Sequence, residues 1–199
     1  MRAAGAQTLR LNLRVRPAMI RLFKTPLVFF GLFLCTANVF AEEPSITWPA
    51  GWQVEALADT APQVSRQRAV KNDADGNQVM VMELNMTQVE TGHQVNLQGV
   101  LLEMRKSIQK DFFRGGYQSV CNKVHPATLG SLSALETTCT VTENGRHVLS
   151  QTLVAAVAAD KAYVLSYAGQ AEAYKASAEE IVAVRNSLKL QASALFSPG

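Results

Sequence analysis

The chain has 199 residues, with 19 lysines and arginines against 16 aspartates and glutamates, a formal net charge of +3. The charge is unevenly spread: no acid precedes Glu42, whereas Arg2, Arg10, Arg14, Arg16, Arg21 and Lys24 do, so residues 42–199 hold 16 acids and 13 bases and are net −3. That sign removes the only compositional support for nucleic-acid binding, whose electrostatic footprint belongs on the folded domain, and the remaining length suits one domain with its own core.

Residues 1–41 have the three parts of a cleavable export signal. A basic stretch leads into an apolar run from Leu27 to Leu34, flanked by Pro26 and Cys35. Val39-Phe-Ala41 then sets small residues at −3 and −1, just ahead of Glu42-Glu43. The run is too short to span a bilayer as a helix, which takes about 20 residues. Met19-Ile-Arg-Leu-Phe-Lys24 is the more natural start of such a segment, which makes residues 1–18 the product of an upstream start codon. Lipidation at Cys35 calls for small residues before the cysteine, where Phe33-Leu34 stand. Cleavage after Ala41 and release into the periplasm or the medium is the expectation, with no transmembrane segment left behind.

Trp48-Pro-Ala-Gly-Trp52 opens the exported domain, and Gln53-Val-Glu-Ala-Leu57 alternates as a strand does. After a small polar loop over 58–64, Ser65–Lys71 and Gln78–Thr87 read as two strands. The turn between them, Asn72-Asp-Ala-Asp-Gly-Asn77, is made of residues that tolerate positive φ. From Val95 the period changes. Leu97, Val100, Leu101, Met104, Ile108 and Phe112 fall at three- and four-residue steps, the apolar face of a helix with Arg105, Lys106, Lys110 and Asp111 opposite. Gly115-Gly116 ends it.

Four strands follow: Tyr117–Val124, Ala134–Thr142, His147–Ala156 and Lys161–Ala168. Asn144-Gly145 is a hairpin signal that makes the second and third of these antiparallel neighbours. A second helix spans Glu172–Leu188, with Tyr174, Ala178, Ile181, Val184 and Leu188 as apolar positions and Ser177-Ala-Glu-Glu180 as an internal capping-box pattern. The domain therefore covers residues 42–190, and 191–199 form a flexible tail. Strands, helix, strands, helix with hairpin links make an α+β fold around an antiparallel sheet, not a doubly wound parallel one.

The exported domain keeps two cysteines, Cys121 and Cys139, and an even number outside the cytoplasm argues for a disulfide. Two buried thiols are the alternative; a redox-active pair would want C-x-x-C spacing. Asp73-Ala-Asp-Gly-Asn77 resembles part of a calcium loop, but the places of the first and twelfth ligands hold Lys71 and Met82, so a hairpin turn explains it better. Met80, Met82 and Met86 put three thioethers on one strand face, suited to Cu(I) if exposed and to an ordinary core if not. His93, His125 and His147 lack ligand spacing, there is no G-x-S-x-G elbow, and nothing pairs Glu83, Glu103 and Glu136. No catalytic, cofactor-binding or metal residue is assigned. Trp48, Trp52, Tyr117, Tyr163 and Tyr167, with Tyr174, are a set that would line a groove for a small apolar or peptide ligand if they converge, and are core and rim otherwise.

The Trp-Pro-x-Gly-Trp opening, the hairpin, the long helix, Tyr163-Val-Leu-Ser-Tyr167 and the closing helix ending Asn186-Ser-Leu188 resemble the PsbP-like fold superfamily. More closely, residues Trp48 to Leu190 are similar to the exported bacterial family known as domain of unknown function 4946, seen chiefly in pseudomonads. The segments that carry this are Arg66-Gln-Arg-Ala-Val-Lys-Asn72, Val100-Leu-Leu-Glu-Met-Arg-Lys106, Gly115-Gly-Tyr-Gln-Ser-Val-Cys121 and Leu135-Glu-Thr-Thr-Cys139. The resemblance implies a three-layer α-β-α sandwich and transfers no catalytic residue. Members of the superfamily are mostly accessory or binding proteins, so it implies a non-enzymatic periplasmic domain whose partner is an envelope protein or a small ligand. A small hydrolase whose site forms only in three dimensions, and a Cu(I) handler using the methionine strand, are the other readings.

Overall fold

Alternating strands need both faces of their sheet covered if both carry apolar residues, and the computed structural model shows how this chain covers them. It describes residues 45–57, 63–90, 92–158 and 160–189; the export segment and the tail lie outside these. The elements are β1 (Gln53–Glu55), β2 (Val64–Asn72), β3 (Gln78–Gln88), α1 (Leu97–Arg114), β4 (Gln118–Cys121), β5 (His125–Leu129), β6 (Leu132–Glu143), β7 (Arg146–Ala158), β8 (Lys161–Gln170), α2 (Ala171–Ala176) and α3 (Ala178–Ser187). One antiparallel sheet runs β1-β2-β3-β8-β7-β6-β4, with β5 also beside β6. The last strand is thus a central one: β8 pairs with β3 on one side and β7 on the other.

On one face Met80, Met82 and Leu84 of β3, Tyr163, Leu165 and Tyr167 of β8 and Val154 and Ala156 of β7 meet Ile181, Val184 and Leu188 at and beyond α3. On the other, Leu153 and Ala155 of β7 meet Leu101 of α1, with Leu97, Met104 and Ile108 around it. The helix spacing that put Leu97, Leu101, Met104 and Ile108 on one stripe is what makes that second layer. Asn96 caps α1 by accepting from the Gly99 amide at 2.9 Å. Its polar stripe closes the sheet edge: Gln109 donates to Ser119 O at 3.0 Å and Arg105 to Asn122 O at 2.9 Å. No described helix is long and apolar enough to cross a membrane.

Three sequence expectations need correction. The strand expected over Tyr117–Val124 ends at Cys121, and the chain re-enters the sheet as β5, which the sequence reading does not include; Pro126 within it lacks a ladder donor, which an edge strand tolerates. The closing helix is two helices, broken at Ser177 (φ −95°, ψ 13°). The capping box is not made, because the Ser177 hydroxyl makes no capping bond and accepts instead from Lys71 Nζ at 3.1 Å. The hairpins form where expected, with Asn144 (φ 50°) and Gly145 (φ 77°) in the left-handed positions of the β6–β7 turn.

Cys121 and Cys139 stand opposite each other on β4 and β6 and form a disulfide. It ties a four-residue edge strand to the middle of a long one and closes a loop of 18 residues. Loop-closure entropy predicts that Cys121→Ser/Cys139→Ser loses about 3 kcal/mol in denaturant unfolding; a loss near zero would mean that the β4–β6 pairing holds the edge alone.

The β5–β6 turn is pinned beneath α3. Gly130 has φ +57°, donates its amide to Arg185 O at 2.7 Å, and leaves no room for a Cβ, which would overlap the Leu188 carbonyl. Gly130→Ala is expected to cost about 3 kcal/mol, from left-handed strain plus the displaced helix end. Thermal unfolding checks it, and an unchanged midpoint would show that the turn is free of α3.

Candidate functional site

The segment before β1 does not hang loose. Ser45 bridges to Lys189 through two backbone hydrogen bonds of 3.2 and 2.9 Å, and the Thr47 amide donates to Ser187 Oγ at 2.9 Å. Ser187 Oγ in turn donates to Val184 O at 2.8 Å, so this hydroxyl is engaged with backbone on both sides. Next along, Trp52 is buried under α3 and its Nε1 donates to Glu180 Oε2 at 3.0 Å. Lys71 of β2 donates to the same oxygen at 2.8 Å and lies 5.8 Å from the Trp52 ring centroid, a cation–π distance. The opening segment, the second strand and the last helix are clasped at one point.

Beside that clasp, and sharing Glu180 with it, lies an open cleft of about 460 Å³, walled by Thr47, Trp48 and Pro49 on one side and Glu179, Glu180, Ala183, Val184 and Ser187 on the other. A second shallow depression of about 400 Å³ lies over Ala178 and Val182, and the two share Glu179 and Ala183. Val182 is 53% exposed. Helix α3 is therefore apolar on two sides: Ile181 and Val184 face the core, while Ala178, Val182 and Ala183 face outward. A helix apolar on its outward side has surface to bury against something else.

The aromatics that would form a groove if they converged are spread over the molecule, mostly as core and rim residues. Trp48 lines the cleft, and Trp52 sits buried behind it. Tyr163 and Tyr167 are buried in the core face beneath α2 and α3. Tyr117 is on the α1 side, edge-on to Phe112 at 6.2 Å. Tyr167 stacks on Tyr174 at 5.9 Å; burial, with Tyr174 beside it, pushes the Tyr167 hydroxyl well above its usual value. Beside this stack Thr138, Thr152 and Tyr174 form a hydroxyl chain with two 2.6 Å links.

The three acids do not meet one another and each makes a salt bridge, as solvated or locally paired charge would: Glu83 with Arg66 at 2.8 Å, Glu103 with Lys106 at 2.6 Å, and Glu136 with Arg185 at 2.6 Å. Glu136 also faces His125 at 3.6 Å. The Glu136 Oε2 contact is close but poorly aligned as a hydrogen bond, so its attraction to Arg185 is chiefly electrostatic. Of the two methionine readings the core one holds and the Cu(I) alternative falls: Met80 and Met82 are buried to 1% and 0% exposure, so the strand offers no thioether pair to an incoming ion. Asp73 caps its own turn, accepting from the Asn77 and Asp75 amides at 2.8 and 3.0 Å. Hydrogen bonds from Asn77 hold its carboxyl below the usual range. Among the described residues no three His, Cys, Asp or Glu side chains gather as metal ligands would. What the sequence reading missed is Lys71, Glu179, Glu180 and the outer side of α3. The spacing of Ala178, Val182 and Ala183, one step round from Ile181 and Val184, is the signal that was present.

Residues 43–190 match the family described as "Domain of unknown function (DUF4946)", and the chain belongs to that family. No curated protein matches it in sequence. Among solved structures it is similar to the cyanobacterial PsbP (CyanoP) of Synechocystis sp. PCC 6803, with TM-score 0.55 and 10% identity over 73% of this chain and 85% of that one. A protein of Bacteroides thetaiotaomicron VPI-5482 gives TM-score 0.50 and 11% identity over 75% and 46%. LpqN of Mycobacterium tuberculosis, described as involved in cell envelope biogenesis, gives 0.49 and 16% over 78% and 88%. At these identities the likeness is one of fold.

The clasp has a pH signature. Burial works against the Glu180 carboxylate, yet the hydrogen bonds from Lys71 and Trp52 and the Lys71 charge outweigh it and hold the group below its usual 4.5. A depressed carboxyl pKa adds stability that is whole above pH 4.5 and is lost as the pH falls through the lower folded value. Glu180→Gln should therefore be less stable at neutral pH, by under about 1 kcal/mol for a partly solvated pair. Denaturant midpoints should converge with wild type in acid; a gap that stays constant with pH would assign the loss to packing.

Proposed function

We propose that this PsbP-like α-β-α sandwich is an exported accessory or binding domain of the cell envelope, without catalytic activity of its own, that holds a ligand or partner in the Trp48–α3 cleft. The observation that carries the reading is the cleft itself: open, walled by Trp48, Pro49, Ala183 and Val184, and neighboured by outward apolar positions of the same helix. Shallow apolar surface with a polar margin suits a partner better than chemistry on a sequestered substrate. The polar side chains that do converge elsewhere are engaged with one another: Glu136 with Arg185, and Thr152 with Thr138 and Tyr174. Export is supported by the N-terminal pattern and by the Cys121–Cys139 bond, since disulfides persist in oxidising compartments.

The protein should be recovered from its native envelope fraction with Glu42 at its N-terminus. In quantitative cross-linking there, it should capture a defined partner or ligand whose yield falls at least about tenfold in Trp48→Ala and Val182→Glu, the loss that burying such anchors implies. Mature protein retaining Met1 or Met19 would overturn the export reading, and capture indifferent to both substitutions would overturn the cleft.

A further inference from the structure

We propose that the cleft recognises a basic peptide segment of a partner protein, reading the pattern apolar–basic–apolar. One apolar side chain lies between Trp48 and Pro49 and the wall of α3, a lysine or arginine meets Glu179, and the second apolar side chain covers Ala178 and Val182. This rests on the reading of the cleft as a binding surface and adds the chemistry of its occupant.

The molecule contains a worked precedent of its own, at a partly exposed pair. Lys71 is held by an indole, Trp52, and a carboxylate, Glu180, at 5.8 Å and 2.8 Å. One residue earlier on α3 is Glu179, and it lines the outer cleft together with a second indole, Trp48. No cation of the described chain pairs with Glu179, whereas Glu180 beside it, which also lines the cleft, is paired with Lys71 through Oε2. An indole and a carboxylate edging an apolar cleft attract an ammonium or guanidinium carried on an apolar stem.

Position and charge select a peptide over a single small molecule. Glu179 belongs to the border of both depressions, about 460 and 400 Å³, so a cation there has apolar room on either side. Both depressions are open, whereas a small ligand is held in sites that bury most of its surface. Residues 42–199 are net −3, a field that favours a basic partner over an acidic one.

The test uses the full chain, expressed with its own N-terminal segment and recovered with its disulfide intact, to select from a displayed library of random short peptides. Selected sequences are then resynthesised for fluorescence anisotropy. The expected consensus is an apolar residue, Lys or Arg, and an apolar residue. Affinity should fall roughly tenfold in Trp48→Ala and in Glu179→Lys, the size of a cation–π or partly desolvated charge contact. Glu179→Lys, a surface change that leaves the core intact, should also turn the preferred middle residue to Asp or Glu. A neutral or acidic consensus that still depends on Trp48 would overturn this chemistry while leaving the binding reading in place. Peptides insensitive to Trp48→Ala, Ala183→Asp and Glu179→Lys would overturn the inference, as would Trp48-dependent binding to phosphatidylglycerol vesicles that competes with the peptides, which would make the occupant a membrane.

Discussion

The constraint on which this structure depends is the insertion of β8 between β3 and β7. Two ribbons are made locally, β2–β3 through its Asp-rich turn and β6–β7 through Asn144-Gly145. Each has a free side, and neither alone has an enclosed face. Only when the last strand pairs with Met80 to Gln88 on one side and Leu149 to Ala158 on the other does a continuous sheet exist. The alternation within β8 then decides both faces at once. Tyr163, Leu165 and Tyr167 go to the α2–α3 side, and Val164 goes beneath α1. A one-residue slip would exchange the two sets, which gives the register a strong energetic basis. Because β8 and β3 are far apart in sequence, the pairing that completes the fold is also among its least local.

Helix α3 follows from that closure, since β8 leads through α2 straight into it. Its position is over-determined: Ile181 and Val184 fill the core, Gly130 accepts no side chain beneath its end, and Lys71 and Trp52 grip Glu180 from another part of the sheet. Partly exposed ion pairs add little to stability one by one. Here the pair matters for geometry, because it fixes Trp52 and so determines where Trp48 and Pro49 stand against the helix. Rigid backing of this sort lets a shallow surface hold a defined shape.

Legibility from the sequence followed how local each cause was. The β2–β3 and β6–β7 hairpins, the burial of Met80 and Met82, the stripe of α1 and the Cys121–Cys139 pair could be read, because period and turn chemistry act over a few residues. β5 could not, since Pro126 speaks against a strand unless the strand is known to be an edge, and edge status is a property of the whole sheet. The break at Ser177 was hidden for a similar reason. Its local pattern suggests a cap, and the partner that takes its hydroxyl, Lys71, lies more than a hundred residues away. Between an aromatic groove and core-and-rim positions the sequence could not decide, because side-chain type does not report which face of the sheet a residue occupies; of the five, Trp48 lines the cleft.

The edges bear on why the proposed recognition is placed on a helix. An antiparallel sheet offers its outer strands for strand addition unless they are blunted. Here β1 is three residues long, β5 carries Pro126, and carbonyls of β4 and its exit are occupied by Gln109 and Arg105 of α1. The disulfide holds β4 against β6 and keeps that arrangement closed. With its edges so occupied, a partner gains little from the backbone of this protein and must gain from side chains. Outward apolar surface beside a carboxylate, Glu179, that has no ion-pair partner among the described residues lies along α3 next to Trp48. That surface exists because β8, the strand that completes the sheet, delivers α3 to the one place where the opening tryptophans can meet it.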